Sequence, residues 1–208
     1  EDSLTGDDII LNSTKGMINK SLIATHKVEL TAANDILNQG IVQAGTSVSM
    51  KSDTGSITNK GDVEAKGGDV TMDAKTDLHN KGVVKASQDT GLKSGGSMAN
   101  EQAVTAGRNL KMKASTTLTN GGALTATAGS VNLQSGEAMS NTGAVTAQQD
   151  VRMTSVASSI TNNGDVEAKD GNVTMDAKTD LRNQGAVTAS QSVGLKSGGS
   201  MANDKAVT

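Results

Sequence analysis

Five residue types are missing from the chain altogether: its 208 residues include no phenylalanine, tryptophan, tyrosine, proline or cysteine. Without cysteine there is no disulfide framework and no thiolate zinc site. A domain of this length normally fills its core with aromatic rings, so this chain must bury aliphatic side chains in a narrow space. No apolar run approaches the ~20 residues that a membrane helix needs, and no signal peptide opens the sequence.

The charge of the chain is nearly balanced. Lys and Arg number 19 against 22 Asp and Glu, so the net charge of −3 gives no reason to expect nucleic acid as a partner. Only 34% of the residues are hydrophobic and 24 are glycine, a composition that a disordered chain could share. The sequence begins and ends in mid-pattern, so we interpret residues 1–208 as a single segment of something longer.

What orders this composition is an internal repeat, marked by an asparagine that recurs at intervals of 19 to 21 residues. A hydrophobic residue lies two positions before each asparagine, and another lies four positions after it, followed two positions later by alanine. On this count Ile23 belongs to the column of valines, and Thr25 is the one departure from alanine. The asparagines are Asn19, Asn38, Asn59, Asn80, Asn100, Asn120, Asn141, Asn162, Asn183 and Asn203.

The apolar residues of each repeat alternate with polar ones at a period of two, which is strand geometry. Each repeat therefore predicts three short strands joined by turns rich in Gly, Ser, Asp and Thr. The extra residue of the longer repeats falls between strands, at 66–69, 127–130 and 169–172 or at 52–56 and 155–159. Residues 61–105 and 164–208 are identical at 35 of 45 positions, which indicates an internal duplication.

We predict an all-β fold, a right-handed parallel β-helix (a β-solenoid) of about ten coils of 20–21 residues with three short strands per coil. Stacked coils pair equivalent strands at ~4.8 Å. Parallel crossovers favour the right hand, and left-handed β-helices use a hexapeptide period that does not divide this repeat.

Two columns of residues are assigned to the interior. Pointed inward, each asparagine amide can hydrogen-bond to the next coil, and asparagine also tolerates the left-handed backbone of a sharp turn. Glycine follows two positions later in seven of the ten coils. The nine methionines are expected to fill the thin core and not to bind a soft metal: Met17, Met50, Met72, Met98, Met112, Met139, Met153, Met175 and Met201.

No catalytic, cofactor-binding or metal site emerges from the polar residues. The acidic pairs Asp73/Asp77 and Asp176/Asp180 are interpreted as solvated charge, although β-helical polysaccharide lyases use outward carboxylates. Those enzymes also need long loops and aromatic platforms, which this chain lacks. His26 and His79 lie in different coils, and no group of residues has metal-ligand spacing.

One surface feature is a candidate for binding. Thr105, Thr125 and Thr146 occupy the same outward position of the first strand in three consecutive coils, each preceded two positions earlier by alanine. They form a flat, small, uncharged stripe that another surface could cover, although threonine is also an ordinary residue of solvated strands.

With the columns laid out, residues 59–80, NKGDVEAKGGDVTMDAKTDLHN, resemble the haemagglutinin repeats of filamentous haemagglutinin-like exoproteins. The resemblance covers essentially the whole chain. It implies the right-handed β-helical shaft of a secreted adhesin or contact-dependent inhibition protein, exported by two-partner secretion through an outer-membrane transporter to the bacterial cell surface. The absence of proline excludes the Asn-Pro motifs of that family's secretion domain, so the chain resembles the shaft region of the family and not the secretion domain.

Three functional expectations follow. The first is a non-enzymatic shaft, a fragment of a longer one, which projects a distal binding or toxin segment so that the parent protein contacts a host or neighbouring cell. The second is that the rod surface itself binds host cells, glycans or other rods, and the less favoured third is a polysaccharide-degrading enzyme. End-to-end self-association of the fragment is also expected, because terminal coils present unpaired strands.

Overall fold

The computed structural model describes residues 3–208, which form thirty short β-strands and no helix. The strands belong to three parallel sheets of ten strands each, and every third strand along the chain joins the same sheet. Each turn of the chain therefore contributes one strand to each sheet. The all-β solenoid of about ten coils with three strands per coil is confirmed, whereas the handedness of the coil stays a prediction from backbone chirality.

The strands of the three sheets differ in length, and the second sheet has the longest. The first sheet contains β1 (Ser3–Gly6), β4 (Ser21–Ala24), β7 (Val42–Ala44), β10 (Val63–Ala65), β13 (Val84–Ala86), β16 (Val104–Ala106), β19 (Leu124–Ala126), β22 (Val145–Ala147), β25 (Val166–Ala168) and β28 (Val187–Ala189). The second contains β2 (Ile9–Ser13), β5 (Val28–Ala32), β8 (Val48–Ser52), β11 (Val70–Ala74), β14 (Thr90–Ser94), β17 (Leu110–Ala114), β20 (Val131–Ser135), β23 (Val151–Ser155), β26 (Val173–Ala177) and β29 (Val193–Ser197). The third contains β3 (Met17–Asn19), β6 (Ile36–Asn38), β9 (Ile57–Asn59), β12 (Leu78–Asn80), β15 (Met98–Asn100), β18 (Leu118–Asn120), β21 (Met139–Asn141), β24 (Ile160–Asn162), β27 (Leu181–Asn183) and β30 (Met201–Asn203).

Like residues stack on like residues from coil to coil. Val63 of β10 pairs with Val84 of β13, and Ala65 pairs with Ala86. The ranges 66–69, 127–130 and 169–172 lie between strands, as the sequence predicted. The predicted ranges 52–56 and 155–159 begin one residue too early, because Ser52 and Ser155 are the last residues of β8 and β23, and the rest of each range lies between strands. A one-residue slip inside a strand would turn its whole buried face outward, so the turns take up every change of length.

The core is a single column of aliphatic side chains that alternate with outward polar residues. Seven of the nine methionines are buried at 1% exposure or less, among Val, Leu, Ile and Ala. Each such large side chain contributes roughly 1.5–3 kcal/mol when fully buried. Met17 and Met201 hold the same ladder position in the first and last coils, where Met201 is 47% exposed because no further coil of the chain covers it.

The sequence-based register of the second coil is wrong by one residue. Leu22 pairs with Val42 and Ala24 pairs with Ala44, while Ile23 faces outward and is 41% exposed. Leu22 follows Asn19 by three positions, whereas Val42 follows Asn38 by four. The turn after Asn19 is therefore one residue shorter, and Thr25 is a turn residue instead of a departure from the alanine column.

The backbone conformation predicted for the asparagines is also wrong. No residue of 3–208 has a positive φ, glycines included, and each asparagine of the column is the extended last residue of a third strand. The glycine two positions later is required by contact between coils. A Cβ on Gly122 would lie 2.0 Å from the carbonyl oxygen of Gln102, and a Cβ on Gly143 would lie 2.0 Å from that of Gly122. Successive backbones touch at these two positions, so a side chain is disfavoured there, although Gln102 holds the equivalent position of its own coil.

Candidate functional site: the asparagine ladder and the outer faces

The ten asparagines form one continuous ladder through the length of the rod. In β15, Met98 and Asn100 point inward while Ala99 points outward, and the same alternation places every asparagine of the column. The Nδ2 of each donates to the Oδ1 of the next, at N···O distances of 2.5–2.7 Å, from Asn19 to Asn203. Nine of the ten are buried, and Asn203 is exposed in the last coil.

The ladder amides are almost fully occupied by protein partners. From Asn80 onward each Nδ2 also donates to the backbone carbonyl two positions later, as Asn120 does to Gly122 at 2.8 Å. Both amide hydrogens and the carbonyl oxygen are therefore used in the rungs from Asn80 to Asn183. Among the described residues only Asn19 Oδ1 is buried without a donor. The rungs from Asn80 to Asn183 therefore have no amide hydrogen left to offer a ligand, and their role is to join one coil to the next.

Acidic and amide side chains at the turns form a second set of connections, which sequence reasoning missed. Just before a strand, one carboxylate or amide oxygen accepts the backbone N–H at the equivalent position of the next coil. Asp77 accepts from Ser97 at 2.7 Å, and Asp62 accepts from Val83 at 2.9 Å. The other members are Asp35, Asp69, Asp89, Asn109, Asp150, Asp165 and Asp180. The available signal was the recurrence of Asp or Asn immediately before a strand.

The pKa values of two carboxyl groups respond to these contacts. The pKa of Asp180 is lowered, first because it accepts a hydrogen bond from the Ser200 hydroxyl and then because it accepts one from the Ser200 amide. The pKa of Glu64 is lowered mainly by a hydrogen bond from Gln43 and further by Lys85, which lies 3.4 Å away. Such charges are solvated, yet several of them also fasten adjacent coils.

The three threonines of the stripe lie next to one another in the structure. Thr105, Thr125 and Thr146 are successive partners in the first sheet, all half-buried, with Lys85 before them and Glu167 after them. The stripe is thus a short uncharged interval between two charged residues of the same column. Its geometry is flat and offers hydroxyl groups but no recess.

The outer face of the second sheet carries a group of three lysines. Gly91 leaves a shallow depression of about 380 Å³ between Thr71 and Lys111, with Lys93 and Lys113 at its rim. Lys93 is paired with Asp73 at 2.9 Å, whereas no ion pair within residues 3–208 involves Lys111 or Lys113. A Cβ on Gly91 would meet nothing closer than 3.9 Å, so packing does not require glycine there.

Within residues 3–208 no constellation of side chains has catalytic geometry. Asp73 and Asp176 form ion pairs with Lys93 and Lys196, while Asp77 and Asp180 fasten turns. Across residues 3–208 no three His, Cys, Asp or Glu side chains converge as metal ligands. His26 and His79 lie in separate coils. Residues 3–208 also contain no helix long and apolar enough to cross a membrane.

Comparison with known proteins identifies the family. The haemagglutinin repeat model matches residues 4–67, 65–128, 105–172 and 170–208, so that the successive matches run from one end of the rod to the other. The chain belongs to the haemagglutinin repeat family, as its motif indicated. No curated protein and no solved structure matches it significantly. This family is typically structural and is associated with secreted, surface-exposed, adhesin-like proteins, in which such repeats form a shaft.

Proposed function

We propose that this chain is part of the rigid shaft of a large bacterial exoprotein and holds a distal binding or toxin segment away from the cell surface. The observation that carries the proposal is the unbroken register of three ten-stranded sheets, in which no coil is interrupted by a loop. At ~4.8 Å per coil the ten coils span roughly 50 Å. A rod of this kind acts as a spacer and needs no ligand of its own.

Export through a dedicated outer-membrane transporter fits the energetics of such a rod. Each coil contacts the coils before and after it, so folding can propagate as the chain emerges. The chain contains no cysteine that could cross-link before that point. Contact with a host or neighbouring cell is then made by the parent protein at the bacterial outer surface.

The internal duplication allows a direct test of the spacer role. Deleting residues 64–166 joins Val63 to Glu167 and recreates the sequence GDVEA, so five coils are removed in register. The deletion should shorten the rod by about 24 Å, measured by electron microscopy of the rod. In the exported parent protein it should reduce delivery or adhesion at the distal end, measured as binding to target cells.

The matched control deletes one residue more, 64–167. It places Ala168 at an outward position and directs Lys169 into the core, so the strand should lose its pairing. The spacer proposal is wrong if the in-register deletion folds and shortens the rod while distal adhesion or delivery is unchanged. Loss of function in the control alone would then reflect misfolding and not length.

A second candidate is that the rod surface itself binds an acidic glycan. The unpaired Lys111 and Lys113 beside the Gly91 depression support it, and the threonine stripe offers hydroxyl groups on another face. An array of acidic and neutral glycans would test it. Replacing Lys111 and Lys113 with alanine should abolish binding, whereas the exposed turn variant Lys169→Ala should not. Binding that ignores both changes would contradict this candidate.

A further inference from the structure

The chain contains two Asn-Gly pairs, Asn120–Gly121 and Asn163–Gly164. In this sequence context the glycine nitrogen can attack the asparagine side chain, because no glycine side chain hinders the approach. The same dipeptide occupies two different environments here. Asn120 is a rung of the ladder, while Asn163 is the turn residue that follows the rung Asn162. The structure therefore separates two sites that the sequence leaves equivalent.

Asn120 is held in a position from which the reaction cannot start. Its side chain is 0% exposed, and its Nδ2 donates to Asn141 and to the carbonyl of Gly122. Its Oδ1 accepts from Asn100 at 2.7 Å. The attacking nitrogen is occupied as well, since the Gly121 N–H donates to the carbonyl of Asn100 at 2.7 Å. Attack would require several buried hydrogen bonds to break first.

Asn163 has none of these restraints on its side chain. The residue is exposed, and no hydrogen bond of its side-chain amide occurs within residues 3–208. The Gly164 N–H likewise has no acceptor in that part of the chain, in contrast to the Gly121 N–H. The backbone stays anchored by the Asn163 N–H, which donates to the carbonyl of Asn141 at 2.7 Å.

We propose that Asn163 is a site of spontaneous deamidation in the folded rod, and that Asn120 is protected from it until the rod unfolds. The Gly164 nitrogen loses its proton to hydroxide and bonds to Asn163 Cγ. The Cγ–Nδ2 bond breaks, Nδ2 takes a proton from water and leaves as ammonia, hydroxide is regenerated, and a cyclic imide remains. Water then opens the imide at either carbonyl, giving aspartate or isoaspartate at position 163 without any redox change.

The surrounding coils accommodate the products. Asp204 occupies the equivalent position of the last coil, where it accepts a hydrogen bond from Gln184 at 3.1 Å. The isoaspartate product lengthens the backbone of this turn by one carbon, and the equivalent turn after Asn19 is one residue shorter than the others, so the length of this connection is not fixed. The rod therefore stays folded and gains one negative charge on an exposed turn.

Peptide mapping of the folded chain during incubation at mildly alkaline pH tests the proposal. Ammonia loss and isoaspartate are quantified at both positions, with and without denaturant. In the folded rod, conversion at position 120 should be at least about tenfold slower than at position 163, because buried hydrogen bonds must open. In denaturant the two positions should convert at comparable rates.

Two variants make the result specific. Asn163→Gln matches the natural Gln184 at the equivalent position and should remove the conversion in the folded rod. Gly121→Ala should slow conversion of Asn120 in denaturant and leave the folded rod intact, since its Cβ would meet nothing closer than 3.6 Å. The proposal is overturned if the folded rod converts position 163 no faster than position 120, or if both convert alike with and without denaturant.

Discussion

Asn100 donates its side-chain amide to Asn120 at 2.7 Å, and both side chains lie inside the rod at 1% exposure or less. Asn120→Ala would remove one rung and leave the Asn100 Nδ2 and the Asn141 Oδ1 without this partner. Leaving buried polar groups unpaired costs about 1–3 kcal/mol. We expect a loss of unfolding free energy of that order, measured by denaturant titration.

The control for this change is Asn12→Ala, an asparagine on the outward side of β2 that does not belong to the ladder. It should alter the free energy of unfolding much less. Equal destabilisation by the two substitutions would show that the ladder has no special role.

The glycine column provides a sharper steric prediction. Gly122→Ala would put a Cβ 2.0 Å from the carbonyl oxygen of Gln102, and neither the Cα that carries this Cβ nor the oxygen can move without its own backbone. The coils must separate locally, so the melting temperature should fall clearly. Gly121→Ala, one residue earlier, would make only an ordinary van der Waals contact at 3.6 Å and should change the melting temperature little. Similar melting temperatures for the two variants would contradict close contact between coils as the reason for glycine.

The repeat made most of this fold predictable, because a side chain's direction follows from its position within the coil. The ladder of Val63 and Val84 could be read from spacing alone. The outward direction of Ile23 could not be read in this way. The turn after Asn19 is one residue shorter, so the strand still alternates between inward and outward residues, but the inward positions come one residue earlier.

Contacts between coils were less accessible to sequence reasoning than the strands were. The glycine two positions after seven of the ten asparagines was attributed to a tight turn, although its reason is a carbonyl oxygen about one coil away, as with Gly122 and Gln102. The carboxylate of Asp77 looked merely solvated because its partner, the amide of Ser97, lies in the following coil. Contacts between residues about one coil apart in the sequence become apparent only once the coils are stacked.

Ala147 and Thr146 are neighbours on β22 that face opposite sides of the first sheet. Ala147 is fully buried beside the core, so Ala147→Leu should overpack it and cost roughly 1–3 kcal/mol. Thr146→Leu on the outer face should barely change the melting temperature. Thermal denaturation of the pair checks the direction of every residue in this sheet, and equal effects would mean that the assigned faces are wrong.

Acidification should weaken the attachment of the last coil through Asp180. Its pKa in the folded rod is lowered below the ordinary value of 3.8 by the hydrogen bonds from Ser200. A lowered folded-state pKa stabilises the fold above the unfolded-state value, and this contribution is lost as the pH falls through the folded-state value. Hydrogen exchange of the Ser200 amide should therefore show less protection, relative to its unstructured reference, at a pH below the folded-state value than at neutral pH.

Asp180→Asn is the matched variant for this test. An amide oxygen can serve in this role, because Asn109 accepts from the Ser130 amide at 3.1 Å in another turn. The variant should retain much of the protection and lose its dependence on the protonation of residue 180. An unchanged acid response in the variant would assign the effect to other carboxylates.

A preparation of residues 1–208 alone should associate head to tail. Asn19 Oδ1 is buried without a donor at one end, and at the other Met201 is 47% exposed beside Asn203, whose Nδ2 donates only to Lys205. Stacking one rod on another would give Asn19 Oδ1 a donor from Asn203 of the second rod and would cover Met201. Such a head-to-tail contact does not close into a ring, so it can add further rods. Sedimentation at several concentrations should show growing oligomers. Met201→Lys should suppress them by placing a charge in the contact, whereas Ala202→Lys on the outward side of β30 should not. Strictly monomeric rods at every concentration would show that the terminal strands are not available for pairing.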